Sequence, residues 1–443
     1  MTKTARTSSI TFVLAAICIF HLNTSLKAQA PKASSLDKQR GHDIASQIKG
    51  ELKKNYYDPS FHGMDLDARF KAADGKIDSA ESIGHIFGII AQALLDLEDS
   101  HTFFVPPGRS ARTEYGWEMQ MIGDKCLVTA VKPGSDAEAK GLREGDEVWT
   151  INGFGPSREN FWRIEYLFKA LRPQPGMKLT VRRPNGKEDE LVVLAKITEQ
   201  KRLMDLTSGE DIWYLIRESE NSDRLHRQRY VEMGNELMIW KMPRFGLTEV
   251  QVDDMMAKVR KHKSLVLDLR GNGGGYVITL QRLAGYFFDH DVKIGDRKGR
   301  KEMKPQVART RGDKVFKGQL VVLIDSRSAS AAELFARLVQ LEHRGTVVGD
   351  RSAGAVMEAR FFPHQWGVDV VAFWGVSITD ADVIMTDGKS LEKAGVNVDE
   401  LVLPSPADLA AKRDPALARA VALLGLTLDA DKAGQMFPVE WRK

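Results

Sequence analysis

The chain has 443 residues, 43% apolar and 28% charged, with 64 basic against 60 acidic side chains. That length is enough for two or three domains, each with its own core. The formal net charge of +4 gives no reason to expect a nucleic-acid partner. Of two cysteines one lies in the N-terminal lead, which excludes an internal disulfide in the remainder and a zinc site built on cysteines.

In residues 1–30, Lys3 and Arg6 precede the apolar run "ITFVLAAICIF", and "AQA" offers small residues for cleavage. This is the anatomy of a secretory signal peptide, and the run is short for a membrane span. Its removal takes three basic residues and leaves a net charge of about +1, with Cys126 as the sole cysteine. The expectation is an exported protein without a stable membrane anchor, in a bacterial periplasm or secreted.

Residues 31–112 read as an N-terminal helical region. One helix stops near Asp58-Pro59, and a second runs from about Ser79 to Leu97 with Ile83, Phe87, Ile90, Leu94 and Leu97 on one face. It ends in "EDSHTFF". Residues 113–197 change to short β-like runs broken by Gly, Pro and Asn, with one helix near "RENFWRIEYLFKAL". Trp162, Tyr166 and Phe168 fit the core side of that helix. The run "VKPGSDAEAKGLREGDEVWTING" resembles a PDZ domain. That resemblance places a peptide-binding strand and loop at Tyr115, Gly116 and Trp117, where a partner's backbone adds to an open sheet edge.

Residues 198–234 read as a charged connector with a helix, and 235–426 as alternating strands and helices. "ELMIWKM", "SLVLDL" and "QLVVLID" are apolar on both faces, which argues a mostly parallel, covered sheet. The basic run from Lys293 to Lys317 lacks interleaved aromatics and reads as a solvated hairpin. A helix from Asp414-Pro415 closes the domain, and 427–443 form a tail. The fold class is α/β in the sense of an α+β multidomain chain.

Two stretches carry chemistry. "DLRGNGGG" follows a strand and opens a helix, but its spacing fits neither the Walker nor the dinucleotide pattern. Its backbone N–H groups suit an oxyanion. "DSRSASAAE" leaves a strand through Ser326, Ser328 and Ser330, the last at a helix start where N–H groups and the dipole favour negative charge. Gly274 and Ala331 are the expected oxyanion donors. No histidine pair has metal-ligand spacing, and no cofactor is expected.

In this order, "DLRGNGGG", "SASAAE", "GDRSAG" and the "GV" segment near 395 resemble the C-terminal-processing (tail-specific) serine peptidases. The resemblance implies a crotonase-like ββα catalytic core, an inserted PDZ module and protein or peptide substrates presented through C-terminal segments. It makes Ser330 the nucleophile. The lysine that many members use as a base is replaced by Ala355, which cannot take a proton. The tricorn-like branch instead pairs its serine with a histidine preceded by serine, and carries a glutamate in its C-terminal part. These match Ser100-His101 and Glu392, with Glu358 as the substitute. Imidazole has the right intrinsic pKa for a general base. The rival expectation is a non-catalytic peptide- or apolar-ligand-binding protein on the same scaffold; a third is a PDZ scaffold protein.

Overall fold

The computed structural model describes residues 32–109, 111–199, 224–366 and 372–442. The expected signal peptide and most of the expected connector helix lie outside them. Among the described residues no helix is long and apolar enough to cross a membrane.

The chain begins with three helices: α1 (Ser35–Asn55), α2 (Leu66–Asp78) and α3 (Ile83–Leu95). Each has a side-chain N-cap, from Ser34, Asp65 and Ser82 respectively, which satisfies a backbone donor the helix cannot. The expected helix from Ser79 is α3, which starts four residues later. Ser79 ends α2, and the capping hydroxyl of Ser82 restarts the chain as α3. Helix α2 was not expected, because its apolar stripe is thin: Leu66, Phe70, Ala73 and Ile77 alone are buried.

Strand β1 (Phe103–Val105) follows, then β2 (Ala111–Glu114), β3 (Trp117–Ile122), β4 (Lys125–Val131), the short helix α4 (Asp136–Ala139) and β5 (Glu147–Ile151). Helix α5 (Phe161–Glu165) continues as a wider coil to Leu171, before β6 (Gly176–Arg182), β7 (Glu188–Leu194) and β8 (Lys196–Glu199). Strands β3 to β7 form one antiparallel sheet in chain order, so β3 is an edge. Its own core includes Trp117, Val128, Ile164, Phe168 and Leu179.

The next unit holds β9 (Arg229–Met233), β10 (Leu237–Lys241), α6 (Glu249–Val259), β11 (Ser264–Asp268), α7 (Val277–Ala284), β12 (Val292–Gly299) and β13 (Gln306–Ala308). Then come β14 (Gln319–Ile324), α8 (Ala331–Leu341), β15 (Thr346–Gly349), β16 (Met357–Trp366) and β17 (Ala372–Met385). The chain closes with β18 (Glu400–Leu401), α9 (Pro406–Ala410), α10 (Pro415–Leu423) and α11 (Ala430–Met436).

A six-stranded sheet runs in the order β18-β15-β14-β11-β10-β9, parallel except at β9. The parallel strands alternate between two cores. Met238, Trp240, Leu265, Leu267 and Val322 face α6, α7 and α8, whereas Leu237, Ile239, Val266 and Val321 face α10 and α11. Covering both faces is what made these strands read as unbroken apolar runs. Strand β9 falls within the stretch read as connector; its exposed alternate residues gave it little apolar signal.

The second sheet of this unit pairs β17 with β1, β12 and β16. The basic run is thus a hairpin, but its first strand belongs to this sheet. Trp374, Val376 and Ile378 of β17 pack with the N-terminal helices. Pairing of Phe103 with Ser377 fixes the turn before β1 against β17.

Candidate active site

The three serines after β14 have separate fates. The Ser326 hydroxyl donates to the Met121 carbonyl on β3. Ser328 is fully buried and donates to the Leu269 carbonyl at 2.8 Å. Ser330 opens α8 with φ 56° and ψ −120°, a conformation that costs a non-glycine residue about 1–3 kcal/mol and persists only where the surroundings impose it. Two bonds impose it: the Ser330 N–H donates to the Ala355 carbonyl at 2.8 Å and to Glu333 Oε2 at 3.0 Å.

Glu333 is a residue whose part the sequence did not declare. Its buried carboxylate also accepts from Ser352 Oγ at 2.6 Å, Gly354 N at 2.8 Å and Ala355 N at 3.0 Å. Burial pushes its carboxyl up to about 7 against the pull of those donors. Glu333 therefore clamps the strap 352–355 to the serine turn.

The strap continues to the second half of the site. Val356 N–H donates to Glu392 Oε2 at 2.9 Å. Glu392 also accepts from Ser100 N (to Oε1, 2.8 Å) and Ser100 Oγ (to Oε2, 2.8 Å), and Ser100 Oγ lies 2.7 Å from His101 Nδ1. The structure thus brings Ser100, His101 and Glu392 into one chain of hydrogen bonds. An ionised Glu392 only accepts, so Ser100 donates to it and accepts from His101 Nδ1–H. That order leaves the lone pair on Nε2. Burial lowers the His101 pKa below its ordinary value, with Asp99 opposing. Burial raises the Glu392 carboxyl above the usual range, against the Val356 and Ser100 donors.

Among the described residues, the Ser330 hydroxyl and the His101 ring are not hydrogen-bonded to each other. They are joined through Ala355 and Val356. Glu358, the substitute glutamate, is spent on Arg297 Nε at 2.8 Å and Gln306 Nε2 at 3.0 Å.

Gly274 packs against the serine: a Cβ there would stand 2.6 Å from Ser330 Cβ and 3.1 Å from the Ala331 nitrogen, at φ +91°. Its amide is already used, donating to Oδ1 of buried Asn272 at 2.9 Å. That bond gives the buried Asn272 side-chain carbonyl its partner. Ala331 N heads the first turn of α8.

A cleft of ≈ 530 Å³ is lined on one side by Ser100, Gly354, Ala355 and Glu392 and on the other by Arg158 to Arg163 before and within α5. Arg158 ties the two walls, donating to Gly123 O at 2.7 Å and Arg351 O at 3.0 Å. The second candidate site, the edge of β3 facing α5, is floored by Tyr115, Trp117, Ile164 and Phe168. Tyr115 and Trp117 are largely buried there, the Tyr115 hydroxyl accepting from Gln174 N at 2.9 Å. Gly116 at φ +72° lets the 132–135 turn close over it, Lys132 N donating to its carbonyl at 2.9 Å. Arg327 Nη2 donates to the Met119 carbonyl on the same edge at 2.6 Å.

Residues 237–402 match the family model for Peptidase family S41. Among curated relatives it is 25% identical over 322 residues to the "Tail-specific protease" of Haemophilus influenzae, covering 68% of this chain and 43% of the relative. It is 23% identical over 325 residues to "Carboxyl-terminal-processing peptidase 3, chloroplastic" of Arabidopsis thaliana, covering 69% and 59%. The chain thus matches about half the length of these relatives. Among solved structures, mature CPAF superposes with a TM-score of 0.62 at 15% identity, over 85% of this chain and 95% of that one. The photosystem II D1 C-terminal processing protease superposes with a TM-score of 0.50 at 18% identity, over 91% and 100%. These likenesses show the fold alone, a mixed α/β multidomain architecture with several sheets.

Proposed function

We propose that this protein is an exported serine endopeptidase of the tail-specific type, with a crotonase-like ββα core and a PDZ module at residues 113–197. The hydrogen-bonded run from Glu392 through Ser100 to His101, one strap away from the Ser330 turn, carries this reading. Ser330 Oγ attacks the peptide carbonyl, and His101 Nε2 takes its proton and returns it to the leaving amine. Ser100 and Glu392 hold the ring in the required tautomer. The Ala331 N–H and the α8 dipole stabilise the oxyanion; Gly274 joins them only if its amide turns from Asn272. The Ser330–His101 bond closes when substrate fills the cleft, as catalytic bonds left open in unliganded sites often do. The unpaired edge of β3 beside α5 supports capture of an extended C-terminal segment there once Ser326 and Arg327 release the Met121 and Met119 carbonyls. For export, the supporting feature is the lead's charge and apolar pattern; mass spectrometry of the isolated protein should find its N-terminus near residue 31.

A second reading, a binding protein without turnover, is favoured by the open Ser330–His101 gap and by Ala355 in the lysine's place. A fluorophosphonate probe decides between them. Labelling of wild type but not of Ser330→Ala supports the peptidase; equal, background-level labelling of both sinks it.

A further inference from the structure

Asp99 lies one residue before the Ser100-His101 pair and is 4% exposed. Its Oδ1 accepts from His101 N at 3.0 Å, Thr102 N at 2.7 Å and Thr379 Oγ1 at 2.7 Å. Thr379 is on β17, so this one oxygen pins the histidine's turn to the sheet. Its other oxygen, Oδ2, is buried with no charged partner, and the neutral Tyr56 hydroxyl is the polar group beside the carboxylate. Among the described residues no lysine or arginine pairs with Asp99.

A buried carboxylate without a counter-ion is costly unless a positive charge arrives beside it. The group placed to supply that charge is the adjacent imidazole. We propose that Asp99 is a positioning residue that holds the His101 turn and supplies the fixed negative charge stabilising the imidazolium formed when the ring takes a proton. The proposal rests on the reading of Ser330 and His101 as a nucleophile–base pair.

The groups around the ring do not replace this role. Glu392 reaches it only through the Ser100 hydroxyl. From the end of α1, Tyr56 is neutral, held so by burial and by Asp99 itself, and Tyr57 likewise by burial and the same carboxylate. His62 is bonded to Tyr57 Oη at 2.7 Å and to the Leu97 carbonyl at 2.8 Å. Glu98 faces outward to Lys393 at 3.2 Å. Asp382 accepts from Ser390 Oγ at 2.8 Å. Asp99 also opposes the burial that drives protons off His101.

The test is Asp99→Asn, whose remaining carbonyl keeps the three Oδ1 bonds while the charge goes. In protein with 15N-labelled histidine, the His101 ring is assigned by its loss in His101→Gln and titrated by NMR. Fluorophosphonate labelling rate is followed against pH in parallel. The expected result is that Asp99→Asn moves the His101 titration and the acid limb of labelling to lower pH together, and lowers the plateau rate about 10-fold or more. Thr379→Val, which removes the hydroxyl's bonds to Asp99 and to Thr102 Oγ1 but keeps the charge, should leave both midpoints in place. An unmoved His101 titration in Asp99→Asn overturns the proposal whatever happens to the rate, as does an equal shift in Thr379→Val. If wild type is never labelled yet the titration shifts as expected, the peptidase reading fails and the role of Asp99 on the ring stands.

Discussion

Removing one oxygen, in Ser100→Ala, isolates the relay from everything else in the site. Among the described residues the Ser100 hydroxyl is the only link between His101 Nδ1 at 2.7 Å and Glu392 Oε2 at 2.8 Å. Without it the Nδ1–H loses its acceptor, and the developing imidazolium loses a charge-assisted bond. Such bonds are worth about 1.5–3 kcal/mol. At about 1.4 kcal/mol per decade, that predicts a loss of roughly 10- to 150-fold in the second-order rate. The backbone of the turn should survive, because Ser100 N still donates to Glu392 Oε1 at 2.8 Å and Val356 still donates to Oε2. Thermal unfolding should therefore stay within a few degrees of wild type. The assay is fluorophosphonate labelling and peptide hydrolysis at neutral pH, with the melting temperature measured alongside. A variant that melts like wild type and reacts within twofold of it would refute the relay.

Gly274→Ala should abolish labelling, because the added methyl would stand 2.6 Å from Ser330 Cβ at φ +91°; a displacement of about 1 Å costs on the order of 100-fold. Near-normal labelling rates would show that the glycine loop does not fix the serine. Arg270→Ala should destabilise by about 3–5 kcal/mol in urea unfolding, since Arg270 bridges fully buried Asp268 (2.8 Å) and the α10 cap Asp414 (2.7 Å). Glu333 has a folded pKa raised from 4.5 to about 7, so the folded state binds the extra proton between those values. Stability should fall as pH rises across that window, and Glu333→Gln should remove this slope in urea titrations run from pH 4.5 to 7. Arg327→Ala should tighten binding of a C-terminal peptide to the β3 edge by freeing the Met119 carbonyl, measured by fluorescence anisotropy; unchanged affinity would place the peptide elsewhere.

Legibility from sequence followed how local each signal is. The parallel strands announced themselves because both faces are buried, whereas β9 and α2 did not because few of their residues are. The site residues split in the same way. Ser330 and the glycine loop sit on strand-to-helix corners with a strong local pattern. Ser100, His101 and Glu392 were found only through family resemblance, since nothing local says that positions 292 residues apart share a hydrogen bond. Val356 contributes a backbone N–H, and Ala355 a carbonyl, which any residue type could supply. Asp99 and Glu333 were in view as letters, but their meaning depends on which donors the fold aims at them.

The pairing of β1 with β17 has a consequence for the timing of assembly. The histidine turn is made within the first quarter of the chain, yet the strand that seats it, through Phe103 opposite Ser377 and Asp99 on Thr379, is among the last to leave the ribosome. The serine corner and its helix can form before that strand exists; the His101 turn cannot be registered against them until it does. A growing or partly threaded polypeptide therefore carries the two halves of the candidate site unconnected until β17 is in place.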